Sequence, residues 1–280
     1  MAGIPNVRLR LFNRAENVLL VRQALSGLAE TVGLDAIAHN DVSTAVTEAC
    51  NNVILHAYDG GEGPLDVELT STPEGIDVIV RDRGVGIRPG VKTQEEISDG
   101  IGLPVIQALS DSVEFRNLPG GGTEVAMHFE SAQEHPLQPS PDADGAELEA
   151  IDRDMPADLT VMTVAPTEVA RSVVPRVLST LAARAYFSTD RISDTQLLAD
   201  ALVAQTDGSI SSSHLSVGVS VAPRNLELHI GPLRSGRADE LFGQAAAGNL
   251  GGVLERLSDG HTISATGSSE MLDLRVAQRS

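Results

Sequence analysis

The sequence predicts an α+β fold that is used twice along the chain. Short runs alternating apolar and polar residues pair across turn residues, and longer stretches carry apolar residues at helical spacing. In the first half these stretches follow the order strand, helix, helix, hairpin, helix, strand, strand. The same pattern begins again after residue 158. With 280 residues, the chain is long enough for two domains of ordinary size.

Val7 to Phe12 alternates Arg8 and Arg10 with Leu9 and Leu11, as a strand does. Asn13 is placed to cap the helix that follows, whose stripe is Val18, Val21, Leu25 and Leu28, up to about Gly33. Asp41 opens a second helix that runs through Tyr58. On it Ala45, Ala49, Val53 and Leu55 fall near one apolar side. Tyr58 to Pro64 is a turn-rich break. Leu65 to Thr70 and Ile76 to Arg81 form a hairpin around Pro73-Glu74-Gly75. Residues 88–98 are polar and suit a lid. Asp99-Gly100-Ile101-Gly102 opens a third helix that ends near Leu109-Ser110-Asp111. Val113 to Arg116 and Glu124 to Phe129 are strands joined by the turn Pro119-Gly120-Gly121-Gly122-Thr123.

Four places carry candidate chemistry. Glu48, Asn52 and His56 recur every fourth residue, so they share one face of the second helix. A stripe of carboxylate, amide and imidazole is costly to bury without something bound to it. It is also what the solvated face of an amphipathic helix looks like. Asp82-Arg83-Gly84-Val85-Gly86 sets an acid at a strand end beside two glycines. There a carboxylate can accept a hydrogen bond from an exocyclic amine against a wall of bare backbone. An ordinary Asp-x-Gly turn has the same wording. Gly100-x-Gly102 stands at a helix start, where backbone N–H groups can approach phosphate, although many structural turns do the same. It is neither a P-loop nor a dinucleotide fingerprint. Thr123 can offer its hydroxyl to a phosphate or simply begin a strand.

The composition narrows the classes. Hydrophobic residues make up 41% and aromatic residues 2%, so the cores must be built from Leu, Val, Ile and Ala. A net charge of −19 argues against a binder of the nucleic-acid backbone and fits attraction of a basic partner. A single cysteine, Cys50, rules out an internal disulfide and suggests a buried thiol in a reducing compartment. No apolar run is long enough to span a membrane, and the N-terminus lacks a signal-peptide pattern, so a cytoplasmic location is expected.

In this order, Glu48-(x3)-Asn52, Asp82-x-Gly84-x-Gly86, Gly100-x-Gly102 and Gly122-Thr123 resemble the Bergerat (GHKL) ATP-binding family, whose members include gyrase, heat-shock protein 90 and histidine kinases. The wording Thr-Glu-Ala-x-Asn-Asn-x-Ile-x-His-Ala-Tyr from Thr47 to Tyr58 is most similar to the anti-sigma factor serine kinases of bacterial partner switching. The resemblance covers about the first 130 residues. It implies the two-layer α/β sandwich of the histidine-kinase-like ATPases, with ATP and Mg²⁺ as cofactors. It further implies that Asn52 ligates Mg²⁺ and that Glu48 orients or deprotonates the hydroxyl of a protein serine. Asp82 would read adenine, with Gly84 and Gly86 lining its pocket, and Gly100, Gly102 and Thr123 would surround the phosphates. His56 matches the motif without an assigned role. Some relatives carry an Arg just before the Gly-x-Gly. Here Ser98-Asp99 stands there, and an acid repels phosphate, so transfer would be slow or would use Arg88 or Lys92.

Three domains are expected: an ATP-binding domain at 1–132, an acidic Pro-rich linker at 133–158 with a short helix near Ala146 to Ile151, and a second, degenerate domain at 159–280. Leu178 and Leu181 lie 153 residues after Leu25 and Leu28, and Ser193-Asp194 lies 153 residues after Asn40-Asp41. In that register Glu48 falls on Ala201 and Asn52 on Gln205, while Asp82 falls near Pro232 and Gly84 near Arg234. The apolar spacing survives and the nucleotide motifs do not. The family implies a sigma factor and a serine-bearing antagonist as partners, with the tandem chain acting as a monomeric pseudo-dimer or a homodimer. The leading expectation is an anti-sigma factor with protein serine kinase activity. A nucleotide-gated module without catalysis is the alternative. A histidine-kinase fragment fits less well, because no phosphoacceptor-histidine helix precedes the motifs.

Overall fold

The computed structural model describes residues 5–86, 102–131, 137, 159–206, 208–243, 251–267 and 269–279. The chain divides into two compact units, one of Pro5–Pro139 and one of Ser140–Ser280 with Met1–Ile4.

In the first unit, β1 (Val7–Phe12) leads into α1 (Asn17–Val32) and α2 (Ala36–Asn52), followed by a π turn at Val53–Ala57. Then come β2 (Pro64–Thr72), β3 (Gly75–Asp82), α3 (Gly102–Leu109), β4 (Ser112–Asn117) and β5 (Thr123–Glu130). The sheet is antiparallel, in the order β4-β5-β3-β2-β1. Alternate residues divide its faces. Val7, Leu9, Leu11, Val67, Leu69 and Val78 are fully buried. They lie on the face against which α1 and α2 pack, so helices and sheet form two layers. The other face carries a ladder of charges across four strands. Arg81 bridges Glu68 (2.7 Å) and Glu124 (2.6 Å), and Arg10 meets Asp66 at 3.0 Å. The α+β sandwich expected from the sequence is present.

Local details differ from expectation. Asn13 caps no helix. Its side chain accepts from Gly63 N (2.8 Å) and donates to Gly61 O (3.1 Å), tying the end of β1 to the loop before β2. Nor does α2 begin at Asp41. Gly33 ends α1 in the left-handed region (φ 71°), and Asp35, two residues on, caps α2 by accepting from Ile37 N and Ala38 N at 2.9 Å. Leu55, expected on the apolar side, is 63% exposed, because the helix has already widened into the π turn.

In the second unit, β6 (Leu159–Val164), α4 (Thr167–Arg184) and α5 (Thr189–Thr206) precede β7 (Leu215–Ala222) and β8 (Asn225–Arg234). They are followed by α6 (Arg237–Gly243), α7 (Gly251–Leu257), β9 (Gly260–Thr266) and β10 (Ser269–Ala277). Its antiparallel sheet runs β6-β7-β8-β10-β9, the strand order of the first unit. The hairpin turns agree too. Ala222 faces Asn225 across two residues, as Thr72 faces Gly75. Most of the expected 133–158 linker, including the short helix at 146–151, lies outside the described residues. No helix among the described residues is long and apolar enough to cross a membrane.

Candidate functional site

Asp82 ends β3 and is only 3% exposed. Its carboxylate accepts from Gly84 N at 2.8 Å and from both the backbone N–H and the hydroxyl of Thr123. Burial pushes the carboxyl above its ordinary value, and the donors from Gly84 and Thr123 only partly offset this. A buried acid held in this way can accept a hydrogen bond from an amine on a flat apolar ring, with a charge-assisted strength of about 1.5–3 kcal/mol.

The surrounding wall is bare backbone by steric necessity. A Cβ on Gly84 would lie 1.9 Å from Ala57 O, and one on Gly122 would lie 2.2 Å from Asp82 O. Gly86 and Gly122 also take positive φ, 74° and 97°.

The same turn is latched to α2. Instead of ending in a glycine cap, α2 continues into the π turn, which delivers Ala57 O to Val85 N at 2.9 Å. Tyr58 reinforces the junction by donating its O–H to Pro64 O (2.5 Å) and accepting from Arg83 N (2.8 Å). Burial above all pushes the phenol up to about 12, with the nearby Asp82 and Asp66 charges adding to it. Glu48 and Asn52 occupy the last two turns of α2 and are half-buried. Among the described residues the buried Asn52 amide nitrogen has no hydrogen-bond partner.

Asp82, Gly84 and Thr123 thus meet in one cluster, to which the helix carrying Glu48 and Asn52 is joined through Ala57. Thr123 is expected among the phosphate contacts, yet its hydroxyl is bonded to the Asp82 carboxylate. Gly102 is the first residue of α3, which packs against α2. Gly100, the Ser98-Asp99 pair, Arg88 and Lys92 lie outside the described residues. His56 is exposed. Sequence reasoning missed the clamp made by Tyr58 and the π turn. The only sequence signal was an aromatic residue directly before a glycine-rich turn.

A family model described as "Histidine kinase-like ATPase domain" matches residues 11–129. The chain is 29% identical to the serine-protein kinase RsbW of Bacillus pumilus over 136 residues, covering 43% of this chain and 83% of that protein. It is 29% identical to the anti-sigma F factor of Caldanaerobacter subterraneus subsp. tengcongensis over 129 residues, covering 43% and 90%. It is 32% identical to the serine-protein kinase RsbW of Halalkalibacterium halodurans over 119 residues, covering 38% and 73%.

Proposed function

Because this chain belongs to the anti-sigma serine-kinase family of histidine kinase-like ATPases, we propose that its first unit binds Mg-ATP and phosphorylates a serine of an antagonist protein, and that the protein is an anti-sigma factor. The observation that carries this reading is the buried Asp82 carboxylate, held by Gly84 and Thr123 and latched to the helix of Glu48 and Asn52. In the proposed site Asp82 accepts from the adenine amine, and Gly84 and Gly86 let the ring lie against backbone. Thr123 fixes the carboxylate while standing next to the nucleotide. Gly102, at the start of α3, offers its N–H to phosphate, and the Gly100-x-Gly102 motif assigns Gly100 the same part.

Among the described residues, no cluster of three His, Cys, Asp or Glu is arranged to hold a metal alone. A neutral amide such as Asn52 suits Mg²⁺ that arrives already bound to phosphates. The nucleotide and its Mg²⁺ would supply the phosphoryl group and neutralise its charge. Glu48 would orient the serine hydroxyl and take its proton, since catalysis of this kind is mostly positioning. The test is transfer of label from γ-labelled ATP to a serine-bearing antagonist. Glu48→Ala should abolish transfer and keep ATP binding. Undiminished transfer in that variant would remove Glu48 from the mechanism.

A second reading, a nucleotide-gated binding module without transfer, draws on Asp99 next to Gly100, where an acid opposes phosphate. It predicts ATP binding and no labelled serine. For the second unit, residues 159–280, the proposal is a degenerate copy of the first, which keeps the fold and supplies binding surface without nucleotide. Its strand order and the loss of each nucleotide motif support this. A cytoplasmic location and a pseudo-dimeric monomer belong to the same proposal.

A further inference from the structure

At the other end of α2, about 25 Å from Asn52 at the helical rise, the first unit has a groove of roughly 520 Å³. Asp35, Ala38, Asp41, Asp111, Phe129 and Glu130 line it. Among the described residues the lining holds four carboxylates and no Lys, Arg or His. Ile37, 77% exposed, extends the apolar floor to the rim.

The second unit contains the same frame, bond for bond. Asp111 N donates to His128 O (2.9 Å), and the Asp111 carboxylate accepts from Glu130 N (2.7 Å). Asp259 N donates to Arg275 O (2.8 Å), and its carboxylate accepts from Ala277 N (2.8 Å). Ser110 Oγ donates to Ile106 O, as Ser258 Oγ does to Leu254 O, both at 2.7 Å. At the helix start, His39 N donates to Asp35 O and Ile192 N to Ser188 O, both at 2.9 Å. One residue before each of these donors stand Ala38 and Arg191, and two residues after them stand Asp41 and Asp194.

Across this frame in the second unit lies the side chain of Arg191, itself only 2% exposed. It donates from Nε to Ala277 O (2.8 Å), from Nη1 to Asp194 (3.4 Å) and from Nη2 to Asp259. A second guanidinium, Arg279, reaches the other oxygen of Asp259 at 2.9 Å. The second unit is therefore a worked example of what this frame grips. In the first unit both carboxylates remain as Asp41 and Asp111, Glu130 adds a third acid at the strand end, and alanine replaces the arginine.

We propose that the groove of the first unit is a receptor for an arginine side chain presented by a protein partner. Paired carboxylates match the planar guanidinium fork and not the ammonium of lysine. Ile37, Leu109 and Phe129 offer apolar contact to residues flanking that arginine. Free arginine is a poorer fit, since its α-carboxylate would face four acids. The net charge of −19 steers basic segments toward the chain. The site lies apart from the nucleotide cluster and stands or falls independently of it.

The test is NMR titration of the full ¹⁵N-labelled chain with the blocked peptide acetyl-Leu-Arg-Leu-amide, its Lys counterpart and free arginine. The Arg peptide should shift resonances of Ala36 to Asp41 and Leu109 to Asp111, binding about tenfold more tightly than either control. Ala38→Arg, which rebuilds the Arg191 arrangement in the first unit, should abolish the shifts and leave Mg-ATP affinity unchanged. Asp41→Asn should weaken the peptide about tenfold, and it decides the matter alone if Ala38→Arg does not fold. Equal binding of the Lys peptide or of free arginine would overturn the proposal. So would shifts that persist in Ala38→Arg or Asp41→Asn, or no shifts at all.

Discussion

In the first unit α1 ends on Gly33 at φ 71°, with Leu34 N donating to Ala29 O at 2.9 Å. In the second unit α4 closes in the same way, with Phe187 N donating to Ala182 O at 3.2 Å, but the left-handed residue is Tyr186 at φ 58°. A residue with a Cβ pays about 1–2 kcal/mol for that conformation. The two units thus share this backbone geometry with different side chains at the left-handed position. The two ends of the frame carry the same lesson in opposite senses. At the nucleotide end the first unit has Asp82 seven residues into the second hairpin strand, and the second unit has Pro232 there. Glu48 and Asn52 stand where the second unit has Ala201 and Gln205. Among the described residues Gln205 also leaves its buried amide nitrogen without a partner, so one orphaned amide does not make a site. What distinguishes the first unit is that amide together with a buried carboxylate and a backbone wall. At the acidic end Arg191 fills the frame of the second unit, while among the described residues no arginine crosses that of the first.

This contrast can be broken by substitution. The largest effect is expected at the glycine wall. Gly84→Ala puts a methyl group 1.9 Å from Ala57 O and should weaken ATP by at least about 100-fold, roughly 2.7 kcal/mol. Arg234→Ala in the second unit should leave ATP binding unchanged by calorimetry. A similar loss in both would mean that both units hold nucleotide.

An effect of comparable size, in stability rather than affinity, is expected from truncating a fully buried core residue in each unit: Leu69→Ala or Leu228→Ala should cost about 2–5 kcal/mol in denaturant unfolding. If Leu228→Ala leaves ATP affinity intact while lowering stability, the second unit is structural with respect to nucleotide.

A smaller effect concerns the helix starts. Asp35 caps α2 and Ser188 Oγ accepts from Arg191 N at the start of α5. Asp35→Ala and Ser188→Ala should each cost about 1 kcal/mol. A loss at Ser188 with none at Asp35 would show that the Asp35 cap is energetically idle and that the two caps are not equivalent.

The Tyr58 clamp gives a pH signature. The phenol titrates near 10 when unfolded and near 12 when folded, so the unfolded state loses its proton first. Stability from this group is complete below about pH 10 and is lost as pH rises toward about 12. Tyr58→Phe should flatten that segment of the stability profile, and an unchanged profile would show that the clamp is absent in solution.

Much of this was legible in the sequence. The hairpin of β2 and β3 announced itself by alternation around Pro73-Glu74-Gly75, and Leu-Ser-Asp recurs at Leu109 and Leu257, where α3 and α7 end. Asp82 and its glycines were legible as a candidate site only through their order with the other three motifs, since an ordinary Asp-x-Gly turn has the same wording. Other features were hidden because they depend on partners distant in sequence. Asn13 reads as a cap until Gly63 is brought to it. The π turn needs one extra residue per turn, which periodicity cannot show, and it moved Leu55 out of the apolar stripe. Thr123 was legible as a site residue but not as the donor to Asp82, since that bond depends on the pairing of β3 with β5. The acidic groove gave no signal at all, because Asp35, Asp111 and Glu130 converge only in the folded unit.

The central claim is one nucleotide-competent unit joined to one that has the frame without the site. Calorimetric titration of the full chain with Mg-ATP tests it most directly, in the wild type and in Asp82→Asn. One site per chain, lost or strongly weakened in Asp82→Asn, is the predicted result. Two sites per chain, or one site indifferent to Asp82, would contradict it.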